Sequence, residues 1–139
     1  MKLYLDADVW LNFWLDEMLG FIPASHYLEE LLDKALKEKW TIVISEEVKK
    51  EIKRAGVSMD DLEEKLSDFR LENILEEVEV GERDAELARK IFRERGLHAS
   101  DAIHAALAIK SKAIFVTRNI KHFKVVQDIL EIRKPEDLL

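Results

Sequence analysis

The feature that most constrains this chain is how its apolar residues are grouped. Three short runs, "KLYLD" from Lys2, "WTIVIS" from Trp40 and "AIFVT" from Ala113, are almost continuously apolar and rich in β-branched residues. A strand that alternates apolar and polar residues covers one face of an antiparallel sheet. A strand that is apolar throughout is buried on both faces, as in a parallel sheet clothed by helices. Segments of helical periodicity separate these runs. Ser25 is the expected N-cap of one, with Leu28, Leu31, Leu32, Ala35 and Leu36 following at helical spacing. Ser45 caps "EEVKKEIKRAG", which ends at Gly56. Ser58 and Asp61 form a capping-box pattern at the head of "SMDDLEEKLSDFRL", and "ERDAELARKIFRERG" ends at Gly96. Further helices are expected over "VWLNFWLDEML" and from Ser100 onward, a short helix or turn over "IKHFKVVQD", an extended piece at "EEVEV" and a last strand at "ILEI". The alternation predicts an α/β fold, a three-layer α/β/α sandwich with a mainly parallel central sheet. Its 139 residues suit one domain, 1–139, around one core.

Whole classes of function drop out early. No apolar run reaches the ~18 residues of a membrane span, and Asp6 and Asp8 interrupt the N-terminal stretch where a signal peptide would be uncharged. Cysteine is absent, which removes a disulfide framework and a Cys-based zinc site. A cytoplasmic protein without membrane attachment is expected. The net charge of −7 argues against a surface that grips nucleic acid all over. Residues 102–124, however, carry Lys110, Lys112, Arg118, Lys121 and Lys124 and no acid, so a local basic rim is compatible with the composition.

In parallel sheets ligands collect beyond the carboxyl ends of the strands. Asp6 and Asp8 lie there after the first run, Glu46, Glu47 and Glu51 after the second, and Thr117 and Asn119 after the third. At ~100° per residue, Val48, Ile52 and Ala55 form one apolar stripe, with Glu51 beside it and Glu46 nearly opposite. Glu51 is therefore the glutamate that faces inward, while Glu46 and Glu47 suit the positive helix N-terminus. Asp101 opens an otherwise apolar helix and shares one side of it with His104, Ala105 and Ala108. It either caps the helix, at ~1 kcal/mol, or joins the other acids. His104, at i+3 from Asp101, reads as a hydrogen-bonded structural histidine before a ligand. Clustered carboxylates repel one another unless a cation sits among them. Oxygen donors without cysteine favour Mg²⁺ or Mn²⁺, and such ions serve chemistry at phosphorus.

Taken together, "YLDADVWL", "VISEEVKKEI" and "LHASDAIHAALAIKSKAIFVTRN" resemble the motifs of the PIN domain family, and within it the VapC-type toxins. The resemblance spans nearly the whole chain in the right order and maps the family's acids to Asp6, Glu51 and Asp101. It implies a Mg²⁺- or Mn²⁺-dependent ribonuclease that cleaves phosphodiester bonds with a metal-activated water. It further implies a homodimer held in check by an antitoxin protein where the chain belongs to a toxin–antitoxin pair. Two positions depart from the family's pattern. Asn119 stands where a fourth acid is common, and His122 stands where some relatives have another Asp. Asp8 replaces the usual Asn or Ser and can supply the missing charge, so the implied metal set is Asp6, Glu51, Asp101, Asp8 and Asn119. Thr117 is expected to bond a ligand or water, and Arg118, Lys121 and Lys124 to meet the RNA backbone.

Two other readings stand beside this one. "LYLDADVWL" also approximates the opening Asp-x-Asp motif of haloacid-dehalogenase-like phosphatases, with Asp6 as nucleophile. A catalytically inactive PIN-like binding module would keep the fold and use its basic rim or apolar surface for a partner. Trp10, Trp14 and Trp40 are expected to pack in or against the core.

Overall fold

The residues that make the strands also decide the layering. In the computed structural model, which describes residues 1–15 and 17–139, β1 (Lys2–Leu5) and β4 (Thr41–Ser45) bury consecutive residues completely. Leu3, Tyr4 and Leu5 are 0% exposed, as are Ile42, Val43 and Ile44. Successive strand residues point to opposite faces, so both faces of the sheet are covered. The result is the expected three-layer α/β/α sandwich around a five-stranded sheet of order β5–β4–β1–β6–β7. Every pairing in that sheet is parallel, with Tyr4 opposite Val43 on one side and Phe115 on the other. The remaining strands are β5 (Leu75–Val78), β6 (Ile114–Val116) and β7 (Ile132–Arg133). Chain progression runs outward from β1 to β5 and then returns to β6 across the centre. The carboxyl end of β1 therefore lies at the switch point where such folds place their ligands.

Most helices start and stop where their caps dictate. Ser45 accepts from the Val48 N–H at the head of α3 (Glu46–Arg54), and Ser58 accepts from the Asp61 N–H at the head of α4 (Met59–Leu71). Gly96, with φ +72°, ends α5 (Glu82–Arg95) in the left-handed region where a Cβ is costly. Helix α6 (Ala99–Ser111) leads into β6, and α7 (Ile120–Phe123) follows it.

Three expected boundaries differ. The segment "VWLNFWLDEML" is not one helix. It is α1 (Ala7–Trp10), a 3₁₀ turn at Leu11–Phe13 and the first strand of a small hairpin, β2 (Met18–Leu19) with β3 (Ile22–Pro23); Asp16 lies outside the described residues. The buried Asn12 explains the break: its amide accepts from Arg118 and donates to Glu17, contacts that a continuing α-helix would forfeit. Helix α2 (Ala24–Glu38) begins after Pro23, so Ser25 lies in its first turn and caps nothing. The last strand begins at Ile132, because Ile129 and Leu130 both bond back to the Val126 carbonyl and close a turn instead. Trp10 is fully buried as expected, and Trp14 and Trp40 pack against the core.

Candidate active site

Three neighbouring parallel strands deliver polar residues to one rim: Asp6 after β1, Ser45 at the end of β4 and Thr117 after β6. Asp6 leaves its strand to cap α1, and its Oδ1 accepts from the Ala7 N–H at 2.8 Å. Thr117, fully buried, donates its hydroxyl to Asp6 Oδ2 at 3.0 Å and accepts from the Asn119 N–H at 3.1 Å. The same hydroxyl oxygen stands 3.4 Å from Asp8 Oδ2, which also accepts from the Arg118 N–H at 3.2 Å. Asp8 Oδ1 is buried and has no hydrogen-bond partner among the described residues.

Both carboxyl groups resist ionisation. Burial raises the Asp6 pKa and Glu51 adds to it, against the opposing pull of His104 and of the Thr117 and Ala7 hydrogen bonds. Burial, and then the charge of Asp6, push Asp8 up to about 7. Among the described residues no Lys or Arg side chain pairs with either acid.

Glu51 reaches this rim from α3. Its Oε1 is 2.7 Å from Nε2 of His104, which arrives from α6 and is 2% exposed. Oxygen or nitrogen atoms of Asp6, Glu51 and His104 lie within 4.8 Å of one another. The other ring nitrogen of His104, Nδ1, is 2.8 Å from the Tyr4 hydroxyl, which shares a 2.7 Å hydrogen bond with Ser45 Oγ. Burial opposes a charge on His104. The Glu51 hydrogen bond and the charges of Asp6, Glu51 and Asp101 outweigh it and raise the pKa. Burial holds the Tyr4 phenol far above its ordinary value.

The structure brings together Asp6, Glu51 and Asp8 of the acids singled out in the sequence. Asp101 occupies the first turn of α6 without capping it. Its carboxylate stands outside the tight group, 24% exposed and 3.8 Å from His122 Nδ1. Asn119 is exposed and makes no side-chain cap on α7. Lys121 and Lys124 are exposed and form no ion pair among the described residues. Arg118 is different: its side chain is 10% exposed, donates to Asn12 at 2.9 Å and pairs with Glu136 at 2.8 Å. That cation is already engaged within the fold. His104 and Tyr4 were not singled out as site residues. The one available signal was His104 at helical spacing from Asp101, and it pointed to the wrong acid.

The donor set fits a divalent cation. Carboxylates without a Lys or Arg partner among the described residues, one of them with an orphaned buried oxygen, form an acidic cluster, and oxygen donors suit Mg²⁺ or Mn²⁺.

The profile of the PIN domain family matches residues 3–128. Solved structures share the fold. VapBC2 from Rickettsia felis, bound to a DNA fragment from their promoter, aligns with TM-score 0.66 and 21% identity over 96% of this chain and 98% of that one. A toxin–antitoxin complex from Klebsiella pneumoniae gives TM-score 0.63 and 16% identity over 95% and 96%. FitAcB from Neisseria gonorrhoeae gives 0.65 and 17% over 96% and 98%. None of the curated proteins matches. The family profile takes in Asp6, Glu51 and Asp101 and outweighs the short Asp-x-Asp motif behind the phosphatase alternative; the chain belongs to the PIN domain family.

Proposed function

We propose that this PIN domain is a divalent-metal-dependent endoribonuclease, the toxin of a toxin–antitoxin pair, acting in the cytoplasm as a homodimer restrained by an antitoxin. The observation that carries this reading is the meeting of Asp6 and Glu51, from different elements, beside the switch point of a parallel sheet. The structural neighbours include toxin–antitoxin complexes, which supports the proposed partner.

Asp6 and Glu51 would hold Mg²⁺ or Mn²⁺, with Asp8 and Asp101 adding negative charge and Asn119 a neutral oxygen at the edge. When bound, the ion supplies charge neutralisation at the phosphodiester and acidifies water. The chain's own residues do the rest. Thr117 fixes the Asp6 carboxylate. The exposed Lys121 and Lys124 offer positive charge to the RNA backbone.

The test is cleavage of labelled RNA with Mg²⁺ or Mn²⁺ and with chelator. Cleavage requires metal, and Asp6→Asn, Glu51→Gln or Asp101→Asn each remove it while thermal melting persists. Activity that survives in all three variants overturns the nuclease. Absence of any cleavage, with no stabilisation by metal, favours the inactive binding module instead.

A further inference from the structure

His104 sits among the acids, so its geometry admits two roles: ligand to the cation, or brace for a ligand. Its hydrogen bonds decide between them. Glu51 Oε1 accepts only, so Nε2, 2.7 Å away, carries the ring proton that faces it. Nδ1 faces the Tyr4 hydroxyl at 2.8 Å inside the core. Whether the ring is neutral or charged, Nε2 remains a donor. Neither nitrogen presents a free lone pair to a cation. The chain of contacts then runs inward: Tyr4 shares a 2.7 Å bond with Ser45, and Ser45 accepts from the Val48 N–H. Tyr4 and Ser45 are fully buried and lie on the two central strands, so the ring has little freedom to tilt. Among the described residues Glu51 Oε2 takes no hydrogen bond, and it is left for a cation.

We propose that His104 is a positioning residue, locked by Tyr4 and Ser45, whose Nε2–H fixes one carboxylate oxygen of Glu51 so that the other is presented to the metal. The inference rests on the metal-dependent reading above and assigns His104 no metal bond. A histidine that bonds a ligating carboxylate from outside the coordination sphere typically changes metal affinity about 10–100-fold when removed.

The experiment uses the full chain and Mn²⁺ as probe, with affinity from calorimetry and coordination from electron spin-echo spectroscopy. Wild-type protein binds Mn²⁺ without a directly coordinated ¹⁴N, and Asp6→Asn abolishes binding. His104→Ala binds about 10–100-fold more weakly. His104→Gln, whose amide offers an N–H to Glu51, recovers part of that loss, and Tyr4→Phe shows a smaller loss by loosening the ring. If His104→Ala does not fold, the Gln and Phe variants decide. A coordinated nitrogen in the wild type makes His104 a ligand and overturns the brace. So does undiminished affinity in folded His104→Ala, or in both of the other variants. Loss of binding in Asp6→Asn alone removes this proposal and leaves the nuclease reading; a wild type that takes up no Mn²⁺ removes both.

Discussion

The Thr117 hydroxyl donates to Oδ2 of Asp6 at 3.0 Å, joining the end of β6 to the end of β1 where Thr117 is fully buried and Asp6 9% exposed. A hydrogen bond to a buried charged acceptor costs ~1–3 kcal/mol to lose when the acceptor stays behind. Valine matches the shape of threonine, but it removes both the donor to Asp6 and the acceptor for the Asn119 N–H. Thr117→Val is therefore expected to lose ~1–3 kcal/mol in urea unfolding and to weaken metal binding, while Thr117→Ser keeps most of both. A valine variant as stable as wild type would remove the hydroxyl from any account of how Asp6 is held.

Burial and the charge of Asp6 make an ionised Asp8 costly to the fold. Its Oδ1 is buried without a partner among the described residues, and its neighbour Asp6 repels it. Asparagine keeps an acceptor for the Arg118 N–H and turns the repulsion into a possible N–H donation. Asp8→Asn should melt higher than wild type in chelator and show a smaller rise on adding Mn²⁺. An Asp8→Asn protein that melts lower without metal contradicts this account.

Glu77 contributes to stability in acid. It lies on β5 between Arg70 of α4 and Lys49 of α3, which donate at 3.1 and 2.6 Å. The Arg70 hydrogen bond first, and that of Lys49 next, lower its pKa from 4.5 to about 2. A depressed carboxylate stabilises the fold above its unfolded pKa, and that contribution fades as pH falls from 4.5 toward 2. Solvent screens the group, whose side chain is 39% exposed, so the neutral-pH effect is held below ~1 kcal/mol. Glu77→Gln should flatten the acid limb of stability against pH and reduce its response to 1 M salt. An unchanged acid limb would show that other carboxylates carry it.

The sheet was legible because its central strands are apolar on both faces, and only a doubly covered parallel strand tolerates that. Glu51 was legible for a related reason: Val48 and Ile52 fix which side of α3 meets the core. Asp101 was harder. Helical spacing put it beside His104, but spacing along one helix cannot say which acid arrives from another element. The ring of His104 is taken by Glu51 and Tyr4, and Asp101 faces His122. The false helix after β1 has the same origin. Trp10 and Trp14 repeat at helical spacing, yet Asn12 between them is held by Arg118 and Glu17. Periodicity records apolar burial and is silent about polar residues bonded across the fold.

The basic residues after β6 divide into two kinds, and mutation should separate them. Arg118 is nearly buried and joins Asn12 to Glu136, with one guanidinium nitrogen unpartnered among the described residues. Removing it leaves Glu136 and Asn12 without their donor. Arg118→Ala should destabilise the fold by ~2–4 kcal/mol, near the lower range for breaking a buried pair because Glu136 remains 30% exposed. Lys121 and Lys124 are exposed and form no ion pair among the described residues. Lys121→Ala and Lys124→Ala should each shift stability by less than ~0.5 kcal/mol. Each should nevertheless weaken RNA binding and reduce its log–log salt slope by ~0.7 for a single strand. Urea unfolding and a salt titration of RNA affinity check both halves. A salt slope unchanged in both lysine variants would move the RNA path to another face of the molecule.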